Sequence, residues 1–133
     1  MVKPEDFLKQ AVEFLASAND EIGYRLIIVQ AYYSAYHAAL RFETSLSPRS
    51  QAATHNFGVH EALIQRLERP NNELEYIVKI SSKDIGAQLR ILKPLREIAS
   101  YELGESIRID QAEAAVGAAK DIFSETAKSN RTA

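Results

Sequence analysis

The chain has 133 residues, a net charge of −2 and no cysteine. Disulfides and thiolate metal sites are therefore excluded, and a reducing, cytoplasmic setting is expected. The charge balance excludes a general nucleic-acid field, and five glycines without a Gly-rich loop exclude a P-loop or dinucleotide fingerprint.

One domain spanning 1–133 is the simplest organisation, large enough to bury roughly two thirds of its unfolded surface. The opening residues, MVKPEDFLKQ, carry acids at once and no apolar run, so no signal peptide is expected. A first helix is predicted from about Pro4 to Ala18. Pro4, Glu5 and Asp6 suit its first turn, and Phe7, Leu8, Ala11, Val12, Leu15 and Ala18 form its apolar stripe. Asn19 and Asp20 punctuate it and can cap the next helix.

The second helix, from about Glu21 to Thr44, contains the most apolar stretch, Tyr24 to Phe42. Its longest apolar run, Leu26 to Leu40, is interrupted by Gln30 and His37, so it reads as a core helix and no membrane span is expected. Ala31, Ala35, Ala38 and Ala39 allow close approach of a neighbour. Gln30, Ser34, His37 and Arg41 follow steps of four, three and four, one line along the helix. Two readings of that line stand. His37 is a candidate acid/base with Arg41 as a phosphate contact, or the line is a solvated face. Tyr32, Tyr33 and Tyr36 either stack bases or belong to the core and a dimer contact.

Ser45 to Ala53 reads as a loop and the most mobile segment. A third helix is predicted from Thr54, its N-cap, to about Glu68, with Phe57, His60, Leu63, Ile64 and Leu67 on one face. His55 and His60 lie about 140° apart on such a helix and could not share a metal ion. A short helix over Glu73 to Ile80 precedes a fourth, capped by Ser81 or Ser82, stopped at Gly104, and kinked or split near Pro94. Ile85, Leu89, Leu92, Arg96, Ala99 and Leu103 share its apolar phase. Arg96 thus needs a partner or a cleft, as an ion pair, a snorkelling cation or an anion contact. With Lys83, Arg90 and Lys93 it makes this helix locally basic. A fifth helix is predicted after Asp110 as N-cap, with fraying over 128–133. The sum is all-α: an antiparallel up-down bundle of four to five helices.

Four segments carry a resemblance. AYYSAYHAAL resembles the AYYAxFHAA-type segment of small prokaryotic HEPN-domain proteins. ATHNFGVHEAL is similar to the Thr-His-x-x-x-Val/Leu stretch that comes next in one HEPN subgroup. LKPLREIASYEL is similar to that subgroup's Leu-x-x-Leu-Arg-x-x-Ala-Asp-Tyr segment, and IDQAEAAVGAAKDIF resembles its last helix. The resemblance covers residues 4 to 125. It implies a helical bundle, a homodimer and, in a toxin–antitoxin or defence setting, a nucleotidyltransferase partner. Active members are metal-independent ribonucleases with an Arg-x(4–6)-His motif paired across the dimer, cleaving RNA by 2′-hydroxyl attack. No cofactor and no metal are implied. Here the motif falls at Arg96, with Tyr101 where histidine is expected, and a phenol is a poor base at neutral pH. Arg49 and His55 fit the spacing but straddle a loop elsewhere in the domain. The resulting candidates are Arg96, Tyr101 and His37 for catalysis, and Arg41, Tyr33, Arg90 and Lys93 for RNA or nucleotide. The alternative is a non-catalytic dimeric adaptor that docks a nucleotidyltransferase or binds a nucleotide.

Overall fold

A computed structural model describes the backbone of residues 1–132 and the side chains of residues 1–128. It contains α1 (Pro4–Ser17), α2 (Glu21–Ser45), α3 (Val59–Glu68), α4 (Tyr76–Tyr101) and α5 (Ile109–Thr132), and no strand among the described residues. α1, α2, α4 and α5 alternate in direction as an up-down bundle. The short α3 runs parallel to α2, because the 46–58 loop carries the chain back before α3 begins.

α2 sits at the centre and packs against all four other helices. Its start is fixed by Asp20, whose carboxylate accepts the Gly23 N–H at 2.8 Å. A Cβ at Gly23 would stand 3.0 Å from Asp20 Oδ1 and 3.1 Å from Ala18 Cβ, so glycine suits this tight α1–α2 turn. Ile27, Ile28, Ala31, Ala35, Ala38 and Ala39 of α2 are fully buried. They share the core with Ala112, Ala115 and Ala119 of α5, where small side chains let two helices approach closely. No helix is long and apolar enough to cross a membrane among the described residues.

Several predicted boundaries differ from the observed ones. Thr54 does not cap α3. It closes a turn with the Phe57 N–H at 3.1 Å, and α3 starts at Val59 behind Gly58. The short helix over 73–80 and the next one are a single α4 that continues through Pro94. Ser81 and Ser82 are buried inside it, and the Ser82 hydroxyl donates to the Leu67 carbonyl at 2.8 Å. Asp110 lies in the first turn of α5 and pairs with Arg108 at 3.0 Å. The Gln111 side chain accepts the Arg108 N–H instead. The expected fraying over 128–133 falls, past Lys128, outside the residues with described side chains.

The loop after α2 is tethered. Glu43, fully buried near the end of α2, accepts from Arg49 at 2.6 and 2.9 Å and from Arg66 of α3 at 2.5 Å. Ser50 donates to the Arg69 carbonyl, and the Asn71 amide donates to the Arg49 carbonyl. Burial pushes the Glu43 carboxyl up, but the two guanidinium partners outweigh it and hold it below the usual carboxylate range.

Candidate functional site

Two restraints set the position of Arg96. At one end of α4, Arg25 of α2 is buried and donates to the carbonyls of Ile98 (3.1 Å), Ala99 (3.0 Å), Glu102 (3.2 Å) and Glu105. Ile98 and Glu102 also accept backbone N–H groups, whereas the Ala99 carbonyl is one that a helix C-terminus leaves without an intrahelical partner, so Arg25 ties down the end of α4 and the residues after it from a neighbouring helix. Further back, α4 passes close to α3 at Gly86, where a Cβ would lie 3.1 Å from Leu67 Cβ. Together they hold α4 along both α2 and α3.

The cations of α4 then divide into two kinds. Arg90 donates to Glu61 and Glu68 of α3 at 2.7–2.8 Å. Lys93 stands 3.6 Å from both Glu61 and Glu97. These charges lace α3 to α4. Arg96 has no carboxylate within 4.0 Å and no hydrogen bond among the described residues. Its guanidinium carbon lies 5.7 Å from the Tyr32 ring centre and 5.4 Å from that of Tyr101. Of the three readings of a core-phase arginine, the ion pair is not found among the described residues, and the cation lies against aromatic faces.

Tyr32 connects Arg96 to a histidine. Its hydroxyl is 2.8 Å from Nδ1 of His60 on α3. Burial pushes the Tyr32 phenol well above its ordinary value, only partly offset by the Arg96 charge, so it keeps its proton. Burial pushes the His60 imidazole below its ordinary value. The charges of Arg96, Lys93 and His37 push the same way, and Glu97 opposes them. The buried phenol has His60 as its hydrogen-bond partner among the described residues. A neutral ring accepts the Tyr32 O–H at Nδ1 and carries its own proton on Nε2, and the same contact serves an imidazolium that donates to the phenol oxygen. His60 and Arg96 together present donors and positive charge, an arrangement suited to a phosphate or other oxyanion.

Aromatic contacts extend from this centre. Tyr36 packs on His60 at 4.6 Å and edge-on to His37 at 5.2 Å. His37 meets Tyr33 at 4.3 Å, and Tyr33 meets Phe7 of α1 at 4.8 Å. His37 thus joins the cluster through Tyr36, half-buried between two tyrosines. The polar line along α2 is not a continuous solvated face. Gln30 bonds Gln10 of α1, Ser34 is buried on the Ala31 carbonyl, and Arg41 pairs with Glu5 at 3.1 Å.

Comparison with protein-family models, with curated proteins and with solved structures finds no match to this chain.

Of the residues singled out from the sequence, Arg96, Tyr101, His37 and Tyr33 lie along this one aromatic chain of contacts. Arg90 and Lys93 face carboxylates, and Arg41 is paired on the α1 side. Arg49 is tied to Glu43, and His55 is exposed in the loop before α3. The residue that sequence reasoning set aside is His60. Its signal was present: it shares the buried phase of Leu63, Ile64 and Leu67, as Arg96 shares that of Leu89, Leu92 and Ala99.

Proposed function

We propose that this chain is a HEPN-type RNA-binding protein with a metal-independent ribonuclease centre formed by Arg96 and His60. The observation that carries the reading is an arginine without a carboxylate partner among the described residues, stacked on the tyrosine that hydrogen-bonds a histidine. Arg96 holds the scissile phosphate and stabilises the charge that grows on it. The 2′-hydroxyl gives its proton to solvent as its oxygen attacks phosphorus, the bond to the 5′-oxygen breaks, and His60, once protonated, supplies the proton to that leaving oxygen. In this reading Tyr101 replaces the motif histidine in position only. It is 70% exposed and flanks Arg96 with its ring, while His60 reaches the site from α3.

A homodimer fits the surface of α2. This helix is apolar over most of its circumference, yet Ile22, Leu26 and Tyr33 are 71%, 58% and 46% exposed along one line. A helix apolar over most of its circumference normally has neighbours on several sides, and a second copy on this line would supply a further one. The HEPN resemblance adds a cytoplasmic toxin–antitoxin setting with a nucleotidyltransferase partner. The second reading, a non-catalytic dimeric adaptor or nucleotide binder, is favoured by the stacking of Arg96 between two tyrosines, which suits binding without proton transfer.

The test is cleavage of single-stranded RNA with a chelator present, comparing the purified protein with Arg96→Ala, His60→Ala and His37→Ala. Loss of cleavage in the first two supports the ribonuclease reading. Equal background rates in all four samples leave the adaptor reading.

A further inference from the structure

We propose that an anion docking on Arg96 drives His60 into its protonated form, so that the site makes its acid only when occupied. This deepens the reading of Arg96 and His60 as a phosphate site and rests on it.

The groups around His60 decide the matter. From α4 it is faced by Arg96, Lys93 and Glu97. From α2 it is faced by Tyr32, Tyr36 and His37. Glu61 is its neighbour on α3. Lys93 stands within 3.6 Å of both Glu61 and Glu97, so its charge is largely compensated. Arg96 has no such compensation among the described residues, and it packs on the ring of the buried Tyr32 that bonds His60. The free site therefore holds one uncompensated positive charge beside a neutral imidazole. A dianion bound to the guanidinium reverses the sign of that field, and the imidazole gains proton affinity.

Tyr32 makes the change local. In the free site its O–H donates to Nδ1. When the ring takes a proton at Nδ1, the hydrogen bond reverses, and the imidazolium N–H donates to the phenol oxygen across the same 2.8 Å. No side chain needs to move. Thermodynamic linkage then requires the reciprocal effect: an anion binds more tightly to the form with His60 protonated.

The experiment tracks the histidine ring signals of the full chain by NMR through a pH titration. Sodium sulfate is compared with sodium chloride at equal ionic strength, since sulfate stays doubly charged throughout. The expected result is a His60 midpoint shifted upward in sulfate, a severalfold rise in proton affinity, while the exposed His55 serves as internal control and does not shift. Arg96→Gln should raise the His60 midpoint in chloride and remove the sulfate response. Arg96→Lys should retain part of it. A His60 midpoint that does not move in sulfate, or that moves in parallel with His55, overturns the proposal on wild-type protein alone. So does a sulfate response that survives Arg96→Gln. No RNA is involved: absent cleavage would end the ribonuclease reading without touching this result, and an absent sulfate shift would do the reverse.

Discussion

The Tyr32 hydroxyl lies 2.8 Å from Nδ1 of His60, and the same tyrosine ring carries the Arg96 guanidinium on its face at 5.7 Å. One side chain of α2 thus touches the functional groups of α3 and α4. The neutral state of His60 has a direct cost in stability at low pH. Its imidazole is held below the ordinary 6.5, so the unfolded chain binds this proton more readily than the native one. The sign is therefore fixed: this contribution is fully present above 6.5 and is lost as pH falls through the native value. Urea unfolding from about pH 7.5 down to about pH 5 should show a falling midpoint in the wild type. His60→Gln should flatten that slope, and Arg96→Gln should make it shallower. The depressed carboxylates Glu5, Glu43 and Glu61 act separately, below 4.5.

Affinity for single-stranded RNA should rank the basic residues by their pairing. Arg96→Gln removes a cation with no carboxylate partner, and should weaken binding roughly tenfold or more in fluorescence anisotropy. Arg90→Gln and Arg41→Gln remove charges already balanced by Glu61, Glu68 or Glu5. Each should cost less than about threefold. An equal loss for all three would mean that RNA responds to overall charge and not to this site.

Glu43→Gln should destabilise the fold by about 2 kcal/mol in chemical denaturation, since two charged hydrogen-bond donors lose their shared acceptor in a buried setting. The loss should be accompanied by faster amide exchange over 46–58, because Arg49 is one of the ties of that loop. RNA affinity should change little, as Glu43 touches none of the aromatic chain.

Arg25→Ala should lower stability by about 2–3 kcal/mol, removing the buried guanidinium that serves the Ala99 carbonyl and ties the end of α4 to α2. Arg25→Lys should recover only part of this, since an ammonium cannot span four acceptors as a guanidinium does. Hydrogen exchange over 98–105 should report the loosening first.

The bundle was legible because its determinants are local: apolar stripes of period 3.6, the Asp20 cap, and alanines on α2 and α5. Boundaries failed where a tertiary partner replaced a local one. Ser82 looks like a helix cap, but its hydroxyl is satisfied by the Leu67 carbonyl inside α4. Thr54 looks like a cap for α3, but it closes its own turn. Arg96 was legible as a cation in core phase. His60 carries the same signal, yet a search for its partner along the chain leads to His55 or to a motif position filled by Tyr101. The link from His60 to Arg96 runs through Tyr32 of α2, and no sequence spacing reports it.

The Arg25 cap and the Gly86 crossing bracket the segment of α4 that carries Arg96, and this makes insertion tolerance unequal along the chain. A residue added within 46–58 is absorbed by loop, leaving the helical phase of every site residue unchanged. A residue added between Gly86 and Arg96 turns the guanidinium by about 100° around the helix axis. It would also pull four carbonyls off Arg25. Length variation among natural or engineered versions of this chain should therefore collect before α3 and avoid the second half of α4.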